Sequence, residues 1–386
     1  MKFLIAIGFY GLQPVLWVGV IRAYLIHTNR LNRERKLFRS AIYDQFYEGR
    51  HFVRSGLILG VCLSIIFSWL LVVSAQWVIL YEALILVSLI LVPGQFLGVT
   101  AAVIAAVVTM IMPHIPALSG IESWLNHLGI GGQAVNPLNF LLITSLIILV
   151  TGIFIRFNAG RFDSPAIARN TRNNKVAVFP FNELTVIPFL MLMPGDWIKI
   201  NMSFIPLFQI HGHAYVLVFL PILIGLKMTV AKSAPRAFFK QLSRELIGVA
   251  VFGIGLLVVT VFVPQFTLTA LVVLIGAYYG VLGLARRRDR HQNFEYSEVM
   301  DGIRVIGIQP GTPAAKMDLD VGDVILTVNG IQVTNEDQFY RAISTSPTYC
   351  RFKVRDRNDQ LKMTESAIFK NSPHEIGVKT YAQSFE

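Results

Sequence analysis

The histidines, carboxylates, thiols and hydroxyls of this 386-residue chain offer few arrangements that could do chemistry. His211-Gly212-His213 is the one close histidine pair. Side chains two apart face different sides of a helix, so these imidazoles make a chelate only on extended chain. No carboxylate or thiolate lies near them in sequence, and they read as interfacial residues. A membrane-embedded zinc protease needs His-Glu-x-x-His, two imidazoles one helical turn apart with a carboxylate base. His374-Glu375 runs on into Ile376-Gly377-Val378 and lacks the second histidine. Ser119-Gly120 lies in an expected outer loop and lacks the glycine two residues before the serine that a rhomboid-like protease shows. Cys62 lies in an apolar run and Cys350 in an expected strand, so neither a disulfide framework nor a metal spacing follows. The sequence therefore assigns no catalytic residue, no metal and no cofactor.

Glu82 is a separate case, because it falls inside an apolar run. An intramembrane carboxylate is a functional candidate, here for a proton or ion pathway. The other reading puts it at the outer interface, beside Trp77 and Tyr81 in an aromatic belt. Pro93-Gly94 and Pro194-Gly195 mark either discontinuous helices or tight turns between spans.

The elements that must position these groups are mostly lipid-soluble. Hydrophobic residues make up 54% of the chain and charged ones only 15%, where a soluble protein carries about a quarter charged. Nine apolar segments are candidate spans, near 3–21, 56–74, 76–93, 95–112, 138–155, 184–200, 204–226, 246–263 and 265–285. The segment at 184–200, broken by Pro188 and Pro194-Gly195, reads equally as a re-entrant or interfacial element. The expected fold is a polytopic α-helical membrane domain over 1–285, a basic juxtamembrane linker over 286–296, and a small α+β domain over 297–386. The N-terminal apolar segment reads as retained rather than cleaved.

Charge sets the orientation. Residues 1–284 hold 20 Lys and Arg against 9 Asp and Glu, whereas residues 285–386 hold 14 of each, so the membrane part carries the whole net charge of +11. Its cations cluster at Arg22–Arg54, Arg156–Lys175 and Lys227–Arg244, with Arg286-Arg287-Arg288 after the last span. Nine spans put all of these on one side, and the positive-inside rule makes that side the cytoplasm. Bordering spans, these cations meet anionic lipid headgroups, and the high pI is not a nucleic-acid signal. Within the first basic loop, Leu37, Phe38, Ile42, Phe46 and Phe52 recur at roughly helical spacing. They suggest either a partner-binding helix or one lying at headgroup level.

The C-terminal region is the most patterned. Ile303, Val305 and Ile308 suit a short buried strand, and Gln309-Pro310-Gly311 a turn. Thr312 and Pro313 open a short helix. Val324–Val328 is a second strand, closed by Asn329-Gly330, a hairpin turn that needs two residues tolerant of positive φ. Asn335 caps a helix over Asn335–Ser344, with Glu336 and Asp337 in its first turn and Phe339, Ala342 and Ile343 on its apolar face.

Val305-Ile306-Gly307-Ile308, Pro310-Gly311-Thr312-Pro313-Ala314, Leu319, Gly322-Asp323-Val324-Ile325 and Val328-Asn329-Gly330 together resemble a bacterial PDZ domain of permuted strand order. Such domains add an extended peptide as a strand beside a helix. The resemblance implies a carboxylate-binding turn at Ile376-Gly377-Val378, a groove strand from Lys379, and a groove wall of Phe339, Ala342 and Ile343. Arg33 to Lys36 soon after the first span, Gln338-Phe339-Tyr340-Arg341-Ala342, Tyr349 to Val354 and His374 to Val378 resemble the MinJ-like cell-division topology proteins of Gram-positive bacteria. That resemblance implies a non-enzymatic scaffold of the cell membrane, enriched at septum and poles, whose cytoplasmic PDZ domain and loops recruit DivIVA-like and MinD-like division proteins. A channel- or transporter-like protein, or a protease accessory, with a regulatory PDZ domain is the alternative.

Overall fold

The structure, a computed structural model, describes residues 2–92, 95–116, 120, 123, 127, 136–160, 164–170, 172–194, 207–210, 213–346, 348–368 and 376–381. His211, Ser119 and the His374-Glu375 pair lie outside these residues. The chain opens with α1 (Lys2–Leu12) and α2 (Pro14–Phe38), separated at Gln13 because Pro14 takes the first helical position. Next come α3 (Tyr47–Phe67), α4 (Ala75–Leu91), α5 (Gly98–Ile111) and α6 (Leu138–Asn158). A four-stranded antiparallel sheet of β1 (Ala166–Arg169), β2 (Lys175–Pro194), β3 (Leu207–Ile210) and β4 (His213–Val230) follows, in the order β1-β2-β4-β3. α7 (Pro235–Phe262) and α8 (Thr267–His291) complete the apolar part.

Nine helical spans are not what forms. Four helices among the described residues are long and apolar enough to cross a bilayer: α3, α6, α7, and α8 with the short turn before it. α4 and α5 are apolar but shorter, 17 and 14 residues. The segments read as spans at 184–200 and 204–226 contribute instead to the strands β2 and β4, paired from Phe179↔Val230 to Pro194↔Tyr215. At about 3.3 Å per residue that hairpin outreaches the ~30 Å hydrocarbon core of a membrane.

The prolines explain the correction. Leu190 and Leu192 send their amide N–H away from β4, to Ser64 Oγ at 3.0 Å and to the Leu71 carbonyl at 3.1 Å. Alternate residues of β2 therefore turn their backbone outward, and Pro180, Pro188 and Pro194 occupy that set, where a missing N–H breaks no ladder bond. Pro221 sits directly opposite Pro188. A helix would meet the same prolines in its interior, at about 3 kcal/mol each.

A strand edge inside an apolar domain leaves backbone groups that water cannot reach, and they need partners. The helices provide them. The Tyr81 hydroxyl oxygen accepts from Leu223 N–H (3.0 Å), Gln13 Nε2 donates to the Phe219 carbonyl (2.9 Å), and the Tyr10 hydroxyl donates to the Val186 carbonyl (3.3 Å). Trp77 and Tyr81 are thus not an interfacial belt: both are fully buried, stacked 5.1 Å apart, with the indole N–H on the Ala102 carbonyl. Small residues let the helices reach the strands. A Cβ on Gly60 would meet the Pro188 ring and carbonyl within 2.9 Å. α6 is the central helix, and its Thr144, Ser145 and Thr151 hydroxyls bond back to carbonyls four residues earlier.

The C-terminal unit holds β5 (Ile303–Arg304), β6 (Gly307–Ile308), a 3-10 turn at Pro313–Lys316, β7 (Val324–Val328), β8 (Ile331–Gln332), α9 (Glu336–Ser344), β9 (Tyr349–Arg355), β10 (Leu361–Ala367) and β11 (Val378–Lys379). Asn329 (φ 51) and Gly330 (φ 84) turn β7 into β8, and Asn335 accepts from Gln338 N–H to cap α9, both as the sequence suggests. Thr312 does not cap its turn; its hydroxyl donates to the Gln309 carbonyl. A core of Val305, Ile325, Val328, Phe339, Phe352 and Val354 is sealed from solvent.

Candidate functional site

Of the residues expected to form the peptide groove, five pack together: Ile376, Val378, Phe339, Ala342 and Ile343. β11 lies antiparallel to β6, with Val378 opposite Ile308 and Lys379 opposite Gly307. These two strands form a sheet of their own. Ile376 and Val378 share a core cluster with Phe339 and Ala342 of α9, and Ile343 packs half-buried against it. Gly377 is demanded by two constraints at once. Its φ is +91°, and a Cβ there would meet Thr312 Oγ1 at 1.9 Å. The Ala314 N–H to Ile376 carbonyl bond (2.9 Å) and the Gln309 N–H to Gly377 carbonyl bond (2.8 Å) hold the turn on either side.

The back of this strand is not free. Lys379 Nζ donates to Ser40 Oγ at 2.6 Å, and the Tyr381 hydroxyl donates to the Tyr296 carbonyl. Tyr381, Tyr296 and Ile306 pack with Ala177 and Phe179 of β2. The C-terminal unit is thereby seated on the end of the apolar part where its basic segments gather. Arg33 reaches Ser164 there, Arg288 clasps Glu245 by two bonds, and Asp289 accepts from the amides of Ala231, Lys232 and Ser233.

Residues 32–54 do not make one helix. Arg39 turns left-handed (φ 59) and ends α2, and α3 begins only at Tyr47. The segment between is pinned by a buried ionic network that sequence reasoning missed. Arg30 Nε donates to Glu48 Oε1 (2.6 Å) and its Nη1 to Glu34 Oε1 (3.0 Å) and the Tyr43 carbonyl (2.9 Å). Glu34 Oε2 accepts from Ile42 N–H (2.7 Å) and Tyr43 N–H (3.2 Å). His51 Nδ1 lies 2.8 Å from Glu183 Oε2. Ile42, so held, packs against Gly307 of β6. The available signal was the Arg30/Glu34 pair at i,i+4 and Glu183 at the edge of an apolar run; that the two belong together was not readable without the fold.

Glu82 is half-buried on α4 beside Tyr81. Among the described residues no three His, Cys, Asp or Glu side chains gather as a metal ion would require.

The hairpin and the cap fit the class that the sequence match defines: an apolar domain with bilayer-length helices that carries a PDZ domain. Residues 304–355 match the PDZ domain family, and the fold extends that unit to β11. Beyond that module the likeness runs the whole length. The chain is 26% identical over 391 residues to the cell division topological determinant MinJ of Bacillus subtilis (strain 168), covering 96% of this chain and 93% of that protein. It is 27% identical over 368 residues to the probable MinJ of Lacticaseibacillus paracasei, and equally to that of Lacticaseibacillus casei (strain BD-II), covering 94% of each partner in both pairings. The chain is thus MinJ-like along nearly all of its sequence. No solved structure is significantly similar to it.

Proposed function

We propose that this chain is a membrane-anchored scaffold in the choice of the cell-division site. Its helices hold it in the cell membrane, and its PDZ domain faces the cytoplasm beside the basic loops. The groove between β11 and α9 takes an extended segment of a division protein as an added strand, backbone bonds giving affinity and side-chain pockets giving choice. DivIVA-like and MinD-like proteins are the partners this assigns, and the protein concentrates at septum and poles. The observation that carries the reading is a PDZ domain, in which Ile376 and Val378 pack with Phe339, Ala342 and Ile343 of α9, on a chain whose relatives are named as division topology determinants. The PDZ fold is a binding fold, and the chain acts by holding other proteins rather than by turning over a substrate.

Capture tests it. Full-length chain in nanodiscs should retain purified DivIVA-like and MinD-like proteins. Deletion of residues 290–386 should abolish retention of at least one. Retention of both by the truncated chain would remove the PDZ domain from the account. Protease added to the outside of intact cells should leave the PDZ domain uncut, and cleavage there would invert the orientation.

A further inference from the structure

Beneath the pinned segment lies a cavity of about 260 Å³ between α2, α6 and the open end of the β2–β4 hairpin. Its carboxylates are already engaged: Glu48 by Arg30 and Glu183 by His51. Its cations are not equally spent. Arg33 donates from Nη2 to Ser164, but its Nε is buried without a partner. Lys227 lines the same cavity and stands exposed at its mouth. Two amides add to this. Asn158 is 1% exposed, gives its Nδ2 to Ser55, and leaves Oδ1 unpartnered. Asn182 Oδ1 is likewise buried and unpartnered, on the residue that pairs with Lys227 across the hairpin. Leaving a buried polar atom unpaired costs about 1–3 kcal/mol, so three such atoms, Arg33 Nε, Asn158 Oδ1 and Asn182 Oδ1, converging on one space beside the exposed Lys227 ammonium point to a polar ligand site.

From this set we infer that the cavity binds a phosphate bearing neighbouring hydroxyls, the guanidinium and ammonium holding the phosphate and the two asparagines holding the hydroxyls. Glycerol phosphate has that chemistry, either free or as the headgroup of an anionic phospholipid. The position favours the lipid: Asn158 ends the span α6 and Tyr47 begins the span α3, so the cavity opens at headgroup level. The inference rests on α3 and α6 crossing the bilayer and is independent of what the PDZ groove binds.

Full-length chain in neutral detergent is titrated with phosphatidylglycerol, with phosphatidylcholine and with glycerol 1-phosphate, and thermal stability is read. Phosphatidylglycerol should stabilise where phosphatidylcholine does not. K227Q, a change at an exposed side chain, and R33Q should each weaken that binding about tenfold, as losing a charge-assisted bond implies. K240Q, an exposed lysine outside the cavity, should bind as the parent does. Glycerol 1-phosphate stabilising without lipid supports the site and makes a free phosphate its source. Equal stabilisation by all three additives, or K240Q losing as much as K227Q, overturns the inference.

Discussion

Gly377→Ala is the sharpest probe of the groove. A left-handed φ of +91° costs an L-residue about 1–2 kcal/mol. The new Cβ also falls 1.9 Å from Thr312 Oγ1 and 2.4 Å from Thr312 Cβ, and relieving such an overlap costs a further ~1–3 kcal/mol. Gly311→Ala is the matched control: its φ is +77°, but nothing lies within 4 Å of its Cβ. The difference between them, about 2 kcal/mol, isolates the contact with Thr312. Hydrogen exchange of the β9 amides in full-length protein reads it. About 3 kcal/mol for G377A corresponds to exchange roughly a hundredfold faster, and ~1 kcal/mol for G311A to about fivefold. Adding Thr312→Gly to G377A should recover much of the difference, as coupling between touching residues requires. Equal effects of the two alanines, with no rescue, would refute the seating of β11 under Thr312.

Other outcomes follow from the same packing. Tyr81→Phe strands the Leu223 N–H in apolar surroundings and should lower thermal stability in detergent by about 1–3 kcal/mol; Ser64→Ala, which leaves Leu190 N–H bare, should do the same. Glu34→Gln leaves Arg30 underpaired and weakens the hold on Ile42 and Tyr43. It should destabilise by up to about 3–5 kcal/mol and open residues 39–46 to protease, whereas an unchanged cleavage pattern would contradict the network's role. Cys350 is sealed in the PDZ core, and burial pushes its thiol up to about 12. The neutral thiol is favoured in the folded state, so its contribution to stability is whole below the unfolded value near 9 and is lost as pH rises from there to about 12. Alkylation at pH 8 should leave Cys350 unmodified until the domain unfolds.

Local chemistry made the PDZ domain legible. Asn329-Gly330 demanded its hairpin and Asn335 its helix start. The membrane part was legible only as apolar. Hydropathy does not distinguish a buried strand from a spanning helix when the run is continuously apolar, and 184–200 and 204–226 were such runs. The proline spacing held the missing information, because Pro180, Pro188 and Pro194 share one parity and Pro221 falls opposite the middle one. Trp77 and Tyr81 were misplaced for a related reason: an amphipathic ring suits an interface, but it equally suits a strand edge that needs a donor or acceptor inside lipid. The ionic network joins residues more than a hundred positions apart, Arg33 to Ser164 and His51 to Glu183, and no local pattern announces that.

The central claim is that the β11–α9 groove captures division proteins. Ile343→Glu places a charge on its half-buried wall while leaving Phe339 and Ala342 in the core. Retention of purified DivIVA-like and MinD-like proteins on nanodisc-held full-length chain should fall at least about tenfold for at least one partner in I343E, with β9 exchange unchanged. Undiminished retention of both partners, from a variant whose fold is intact, would contradict it.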